Sequence, residues 1–355
     1  MPRIAVDAMG ADAAPRVEVE GVLAAVRERG TDVILVGDEA RQRAELAALG
    51  ARDEKIAIRH ASEVITMHDP PSMAVKQKKK SSMRVCFDLV KSGEADAVVS
   101  AGNSGAMMAC GLFVLGRLAG VERPAIVTTF PTRAGECALL DMGANVDPKP
   151  AVLAQFGVLG SAYARLLHGK VRPKVGLLSN GSEEHKGTAL TREANHLLAR
   201  AGSGGAADFT YLGYVEGRDI FKGEVDVVVT DGVTGNVVLK SVEGAADAIL
   251  SMVREEVARE GLLAKLGAAL MTKALRRLKR RTDYAEHGGA LLLGVDGVAL
   301  ICHGGSNAVA LKNAVYVADR FAQIGFGHEL AEAVARHAFL WESAPPPAPS
   351  AEAVS

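Results

Sequence analysis

The chain has 355 residues, of which 48% are hydrophobic, 23% charged and only 4% aromatic, and its formal net charge is −1. This composition supplies enough apolar material for a large buried core, while the near-zero charge argues against recruitment of nucleic acid by a global electrostatic field. Four widely spaced cysteines argue against a zinc site or a disulfide framework, and no apolar run reaches the roughly 18–20 residues that a membrane-spanning helix needs.

Short apolar segments rich in β-branched residues alternate with helical patterns along most of the chain. The first of them begins at Ile4, which leaves no room for a signal peptide and indicates a cytoplasmic protein. The predicted strands are Ile4–Ala8, Asp32–Val36, Lys55–Arg59, Ala97–Ser100, Ala125–Thr129, Ala138–Met142, Lys174–Ser179, Asp226–Thr230 and Val298–Cys302. Segments between them, such as Val17–Arg29 and Ala151–Leu167, predict helices. This alternation predicts an α/β fold with a mostly parallel sheet covered by helices on both faces.

No linker rich in Gly, Ser or Pro divides residues 1–342, which we expect to form one domain. Residues 255–281 form a candidate helical insertion that carries a run of Lys and Arg. Apolar side chains recur in it near helical spacing at Leu262, Leu263, Leu266 and Leu270. Such a segment is typical of a helix in a membrane interface and equally of an ordinary surface helix. Residues 343–355 are rich in Pro and Ala without periodicity, and we expect a disordered tail there.

Three loops after predicted strands share one design, in which glycines and small hydroxyl or amide side chains precede a helix. They read AGNSGA (101–106), DGVTGN (231–236) and HGGSNA (303–308). Glycine lets the backbone approach a ligand, and the first amides of a helix favour an anion. One such loop would indicate only a turn or a helix cap. Because ligands of open parallel sheets bind beyond the carboxyl ends of the strands, three such loops predict a phosphate or oxyanion site at that edge.

Several familiar chemistries lack their motifs in this chain. There is neither a GxxxxGK[ST] loop nor a GxGxxG fingerprint, and the first strand ends in Asp7, where a pyrophosphate would meet an acidic group. There is no GxSxG motif, and no cysteine has the local context of a nucleophile, so a covalent acyl-enzyme is not expected. The segments KQKKK (76–80) and EEHKG (183–187) can supply cations to an anion or an acidic partner, but ion-paired surface explains them equally well.

Several segments, spread along the chain in a fixed order, together resemble the motifs of one protein family. They are IAVDAMG (4–10), ASEVITMHDPPSMAVKQKKKSSM (61–83), VSAGNSGA (99–106), LLDMGANVDPKP (139–150), GSEEHKG (181–187), YVEGRDI (214–220), VVVTDGVTGNVVLK (227–240) and HGGSNA (303–308). From Arg3 to about Phe321 the chain resembles the PlsX family, the acyl-carrier-protein:phosphate acyltransferases of bacterial phospholipid synthesis. The resemblance implies a Rossmann-like three-layer core, a homodimer and peripheral membrane association through a protruding helical hairpin at 255–281.

The resemblance also implies a reaction and its partners. Phosphate attacks the thioester of a long-chain acyl-[acyl carrier protein] directly and reversibly, forming acyl phosphate for phosphatidic acid synthesis. The implied partners are acyl carrier protein, inorganic phosphate, the membrane surface and a membrane-bound glycerol-3-phosphate acyltransferase that takes the product. No cofactor and no metal is expected, since lysine and backbone amides can neutralise phosphate. The alternatives are a phosphotransacylase that uses short-chain acyl-CoA and a non-catalytic membrane scaffold.

Site residues are expected in two groups, with Asp7 and Asp231 orienting the donors. The expected catalytic residues are Lys186, Asp231, Asn236 and His303. The residues expected to bind phosphate are Asn103, Ser104, Gly105, Thr234, Gly235, Ser306 and Asn307. Within these groups, Asn236 and the amides of Thr234 and Gly235 are assigned to the developing oxyanion.

Overall fold

The computed structural model describes residues 1–51, 54, 56–202, 207–261, 264, 266–274 and 288–341. Some predictions lie outside these residues: the strand start at Lys55, the apolar positions Leu262 and Leu263, the end of the helical insertion beyond 274, and the tail at 343–355. Every candidate site residue outside the helical insertion falls within the described chain.

Eleven strands of the described chain form one sheet. They are β1 (Arg3–Asp7), β2 (Asp32–Gly37), β3 (Ile56–His60), β4 (Ala97–Ser100), β5 (Ala125–Thr132), β6 (Gly135–Leu140), β7 (Lys174–Leu178), β8 (Thr210–Val215), β9 (Val227–Val229), β10 (Ala290–Leu293) and β11 (Val298–Ile301). Their order across the sheet is β3-β2-β1-β4-β11-β10-β5-β6-β9-β7-β8. Every predicted strand is present, while β8 and β10 are additional. The sequence of β10, ALLL, lacks β-branched residues and does not distinguish a strand from a helix.

Helices cover both faces of this sheet. They are α1 (Arg16–Arg29), α2 (Glu39–Ala48), α3 (Pro71–Gln77), α4 (Ser82–Lys91), α5 (Ser104–Cys110), α6 (Pro150–His168), α7 (Ala189–Ala199), α8 (Gly232–Arg259), α9 (266–274), α10 (Ala308–Gln323) and α11 (Phe326–Arg336). One apolar core lies between the sheet and α1, α6, α7, α10 and α11, and a second core lies on the other face beneath α3, α4 and α5. The prediction of a three-layer α/β fold with a mostly parallel sheet is confirmed.

The sheet reverses its strand direction near its middle. β4 and β11 are parallel neighbours, whereas the next pairings, β11–β10, β10–β5 and β5–β6, are antiparallel. β9 is parallel to β6 and therefore runs opposite to β4 and β11. The expectation that loops 101–106, 231–236 and 303–308 all leave one carboxyl edge is consequently wrong for the loop that follows β9.

The strand register nevertheless aligns the ends of these strands along one row of paired residues across the sheet. A single row of paired residues crosses the sheet through Val229, Leu140, Val127, Leu291, Leu300 and Val99. Val229 is the last residue of β9, and Val99 is the penultimate residue of β4. The chain therefore leaves β9 close to the level at which it leaves β4 and β11, although it leaves in the opposite direction.

Helix α8 projects from the sheet after this turn. Of its residues only Gly232 and Gly235, in the first turn, are buried, and all the remaining residues are exposed or half-buried. Val238, Leu239 and Val242 pack at the edge of the second core, so the beginning of α8 lies on the same face as α5. Within the described ranges, no helix is both long and apolar enough to cross a membrane.

Candidate active site

A cavity of about 330 Å³ opens on the face of the sheet that carries α5 and α8. The polar side chains around it belong to Ser104, Thr128, Asn236, Lys240, Glu243 and His303. Its apolar walls are formed by Ile126, Met142, Leu239, Ala290, Ile301 and Cys302. Each of the three glycine-bearing loops thus contributes one polar residue. An apolar cleft of this size with a few convergent polar groups is the usual form of a small-molecule site.

The start of α8 is organised by Asp231, which caps the helix. Its Oδ1 accepts a hydrogen bond from the Thr234 N–H at 2.9 Å, and its Oδ2 accepts one from the Thr234 hydroxyl at 2.7 Å. The Gly235 N–H donates to the Asp231 carbonyl. Both N–H groups are bonded within the cap, and the expected role of the Thr234 and Gly235 amides as oxyanion donors stays a prediction. Asn236 is the residue of this loop that lines the cavity.

A buried aspartate absent from the predicted site, Asp141, supports the start of α8. Its carboxylate accepts hydrogen bonds from the N–H groups of Ile126, Ala144 and Asn145 and from the Asn145 side-chain amide, at 2.6–3.1 Å. Burial raises the pKa of the Asp141 carboxyl, while these bonds favour its charged form. A Cβ atom on Gly235 would overlap the Asp141 carbonyl oxygen, so only glycine lets α8 lie this close. The segment LLDMGANVDPKP, which contains Asp141, was the available sequence signal.

The loop after β4 is held by buried hydrogen bonds that begin at Asp7. The Ser100 hydroxyl donates to Asp7 Oδ2 at 2.7 Å and accepts from the Gly102 N–H at 3.0 Å. Asp7 therefore orders the backbone that presents Ser104, as expected from the sequence. Burial raises the pKa of the Asp7 carboxyl, and hydrogen bonds from Ser82 and Ser100 act in the opposite direction.

Asn103 and Gly105 connect this loop to the segment that precedes and begins α3. The Asn103 amide donates at 3.3 Å to three backbone carbonyls, those of Thr66, Met67 and Asp69. Its Oδ1 caps α5 by accepting from the Ala106 N–H at 3.1 Å. A Cβ atom on Gly105 would lie 2.7 Å from Pro71 Cγ. The Asn103 side chain thus holds the loop to the segment before α3, and its expected contact with phosphate stays a prediction. Ser104 is the residue of this loop that lines the cavity.

His303 begins the loop after β11 and has a defined tautomer. Its Nδ1 accepts a hydrogen bond from the Gly305 N–H at 3.1 Å, so a neutral ring carries its proton on Nε2. The Ser306 N–H donates to the His303 carbonyl at 2.9 Å, and Asn307 Oδ1 caps α10 by accepting from the Ala310 N–H at 3.0 Å. Ser306 and Asn307 shape this loop, and His303 alone represents it among the described residues that line the cavity.

Glu18 is a buried residue that was not predicted from the sequence, and it stabilises the turn that contacts the loop of His303. Glu18 Oε1 accepts from the Ala11 N–H at 2.8 Å, and the Asp12 N–H donates to the Gly304 carbonyl at 2.9 Å. Glu18 is fully buried, and its second oxygen has no hydrogen-bond partner within the described chain. Burial raises the pKa of Glu18 to about 7. Glu18 therefore stabilises the turn after β1, on which the loop of His303 rests.

The cation expected from the sequence, Lys186, is not among the described residues that line the cavity. It follows β7, and its N–H donates to the Glu183 carbonyl at 3.0 Å within a turn. Lys240 lines the cavity instead, with its Nζ 2.8 Å from Glu243 Oε2. Because Lys240 lies four residues after Asn236, both side chains share one face of α8. That helical spacing is the signal by which Lys240 could have been found.

The thiol of Cys302 also lines the cavity. Burial raises the pKa of this thiol to about 12, so it is protonated near neutral pH. The thiolate is the nucleophilic form of cysteine, and Cys302 is therefore a poor candidate for a covalent acyl-enzyme. Its small apolar side chain is better suited to the wall of the cavity.

Comparison with known proteins shows which family the chain belongs to. Residues 2–329 match the family model described as fatty acid synthesis protein. The phosphate acyltransferase of Geobacter sulfurreducens is 56% identical over 330 residues, which cover 93% of each chain. The phosphate acyltransferase of Geotalea daltonii is 53% identical over the same length and with the same coverage of both chains.

Solved structures with the same fold are more distant in sequence. A phosphotransacetylase from Streptococcus pyogenes has a TM-score of 0.62 at 18% identity, covering 91% of this chain and 94% of that one. The EutD phosphotransacetylase from Staphylococcus aureus has a TM-score of 0.58 at 17% identity, covering 90% and 94%. At these identities the likeness shows a shared fold only.

Proposed function

The chain belongs to the PlsX family of phosphate acyltransferases, and we propose that it uses long-chain acyl-[acyl carrier protein] as donor and inorganic phosphate as acceptor. It is an acyltransferase of lipid synthesis, and the proposed product is acyl phosphate for phosphatidic acid. The observation that carries this proposal is the cavity between α5 and α8. Its apolar walls suit an acyl chain, and Ser104, Asn236, Lys240 and His303 offer the donors that a phosphate and a thioester carbonyl need.

The proposed reaction is a direct attack without an acyl-enzyme. A phosphate oxygen forms a bond to the carbonyl carbon, the carbon–sulfur bond breaks, and the thiolate leaves to take up a proton from solvent. Lys240 offsets the charge of phosphate, while the Asn236 amide and the Nε2–H of His303 donate to the developing oxyanion. Positioning of the two reactants supplies a further part of the barrier lowering. Lys186 stays a prediction as an additional cation.

The direct test measures thiol release from palmitoyl-[acyl carrier protein] with phosphate present, with sulfate as the matched anion. We expect release only with phosphate, together with an acyl phosphate that hydroxylamine traps as the hydroxamate. The same assay with acetyl-CoA separates the alternatives. A preference for acetyl-CoA would identify a short-chain phosphotransacylase, and no phosphate-dependent release from either donor would indicate a non-catalytic scaffold.

Exposed apolar side chains on α8 support the proposal of a homodimer. Val237, Ile249 and Met252 are exposed on this projecting helix, and several exposed apolar side chains on one helix are typical of an interface. We expect light scattering to give twice the 37.0 kDa mass of the chain. A mass of a single chain at micromolar concentration would contradict the homodimer.

Helix α9 supports the proposal of cytoplasmic location with peripheral membrane association. Leu266 and Leu270 are 55% and 88% exposed, and a membrane surface would cover them while the product passes to a membrane-bound glycerol-3-phosphate acyltransferase. We expect Leu270→Glu to lower binding to anionic vesicles about 10-fold or more, the equivalent of losing one buried leucine. Val171→Glu, at a residue 92% exposed elsewhere, is the matched control. Equal binding by both variants in a sedimentation assay would refute the role of α9.

A further inference from the structure

A surface next to the cavity combines exposed apolar side chains with lysines. Its residues, which we name the α3 patch, are Met67, Met73, Lys76, Lys79, Lys80 and Phe113. We propose that the α3 patch docks an acidic helix of the carrier protein that delivers the acyl group. This inference rests on the proposed function, because it concerns the donor of that same reaction.

The apolar part of the patch consists of three large side chains that are about half exposed. Met73 is 57% exposed, Phe113 52% and Met67 44%. Single exposed apolar side chains are ordinary, but neighbouring ones on a well-packed surface mark a binding site. Methionine adapts its shape to a partner, which suits a surface that is covered only transiently.

The lysines belong to the same surface. Lys76 Nζ lies 5.1 Å from the centre of the Phe113 ring, and Met73 precedes Lys76 by three residues on α3, so these side chains are neighbours. Lys79 and Lys80 follow directly and are exposed. Lys78 is different, because its Nζ is bonded to Asp69 Oδ2 at 2.6 Å and to the Val64 carbonyl at 2.9 Å. The run therefore uses one lysine to hold the turn and presents the others to solvent.

The α3 patch contacts the two loops that bring Ser104 and His303 to the cavity. The Asn103 amide binds the carbonyls on either side of His68, and α5, which begins at Ser104, packs against Pro71 of α3. On the other side, Met67 Cε lies 2.7 Å from the position of a Cβ atom on Gly304, the residue after His303. A partner on the α3 patch would therefore sit at the border of the cavity.

The chemistry of the patch selects one kind of partner. Clustered ammonium groups around apolar side chains complement a helix that has carboxylates around an apolar ridge. Electrostatic attraction of this kind speeds encounter and weakens as salt screens it, which suits a carrier that must leave after each turnover.

The test reverses two charges of the patch with Lys76→Glu/Lys79→Glu. The matched control is Arg16→Glu/Arg43→Glu, which makes the same charge change at exposed positions of α1 and α2 on the opposite face of the sheet. Three quantities are measured for each variant: the KM for palmitoyl-[acyl carrier protein], the kcat/KM for palmitoyl-pantetheine, and the Kd for holo-carrier protein without an acyl chain by fluorescence anisotropy. Thermal unfolding confirms that both variants fold.

We expect the patch variant to raise the KM for the carrier substrate and the Kd for holo-carrier about 10-fold at low salt, with little difference left at 0.5 M salt. Activity with palmitoyl-pantetheine should stay unchanged, and the control should stay within about 2-fold of the parent in every assay. Met73→Ser should weaken carrier binding at both salt concentrations, because its contribution is apolar.

Several results would overturn the docking proposal. An unchanged Kd for holo-carrier would do so, as would an equal loss of activity with palmitoyl-pantetheine. Loss of binding to anionic vesicles, or of dimer mass, in place of carrier binding would assign the patch to a membrane or to a second copy. Failure of the proposed function gives a different result from failure of the docking proposal. In the first case the parent protein would form no acyl phosphate, while fluorescence anisotropy would still report whether the carrier protein binds.

Discussion

Replacing Asn236 by alanine is expected to lower the kcat for acyl phosphate formation by a factor of about 10²–10³. The residue lies one position after Gly235 at the start of α8 and lines the cavity together with Ser104 and His303. Its side chain is exposed, so the substitution should leave the stability of the fold within about 0.5 kcal/mol. A donor that acts mainly in the transition state affects kcat, whereas one that only binds phosphate affects KM.

The matched control for Asn236→Ala is Ser241→Ala on the same helix. Ser241 is also small, polar and exposed, but it is not one of the described residues that line the cavity. Steady-state kinetics with varied phosphate and saturating acyl donor separates the two constants. A kcat for Asn236→Ala within threefold of the parent would remove Asn236 from the proposed oxyanion site.

The second large effect is expected at Gly235, where alanine should destabilise the fold by about 3 kcal/mol. A Cβ atom there would overlap the Asp141 carbonyl oxygen, and a backbone atom held by the sheet cannot move aside as a flexible side chain can. The helix would have to shift away from Asp141, and Asn236 would move with it. We therefore expect loss of activity together with loss of stability, measured by urea unfolding.

The opposite effect on stability is expected for Gly244→Ala in the same helix. A Cβ atom at Gly244 meets nothing within 4 Å, and alanine is the better helix former, so this variant should gain roughly 0.5–1 kcal/mol. Equal free energies of unfolding for Gly235→Ala and Gly244→Ala would show that the contact between α8 and Asp141 does not constrain the helix. Loss of stability in both would point to a general intolerance of α8.

Local sequence patterns predicted the secondary structure well, because strands and helix caps depend on neighbours a few residues away. β-branched runs located strands such as β4 and β9, and the glycine-bearing segments were correctly placed at the starts of α5, α8 and α10, although most of 231–236 is already part of α8. The side chains of Asn103, Asp231 and Asn307 all cap the helices that follow them. Their residue types alone did not show that these polar groups cap helices, because the same residue types occur in caps and in binding sites.

The choice of site residues within each loop depended on contacts that are remote in sequence. The Asn103 side chain donates to carbonyls more than thirty residues away in the sequence. The role of Asp141 is evident only from the packing of α8 against its carbonyl group. Lys186 and Lys240 both follow strands in the second half of the chain, and only Lys240 lines the cavity. Helical spacing from Asn236 places Lys240 on the same face of α8, but the pattern did not show which face of α8 meets the sheet.

By itself, the sequence determined the α/β class, the positions of most strands and the three loops that supply a polar residue each to the cavity. Only the tertiary structure decided that β9 runs against β4 and β11, and that Val229 and Val99 nonetheless lie in one row. The physical reason is that propensity and capping act over a few residues, whereas strand direction and level follow from hydrogen bonds between strands far apart in the chain.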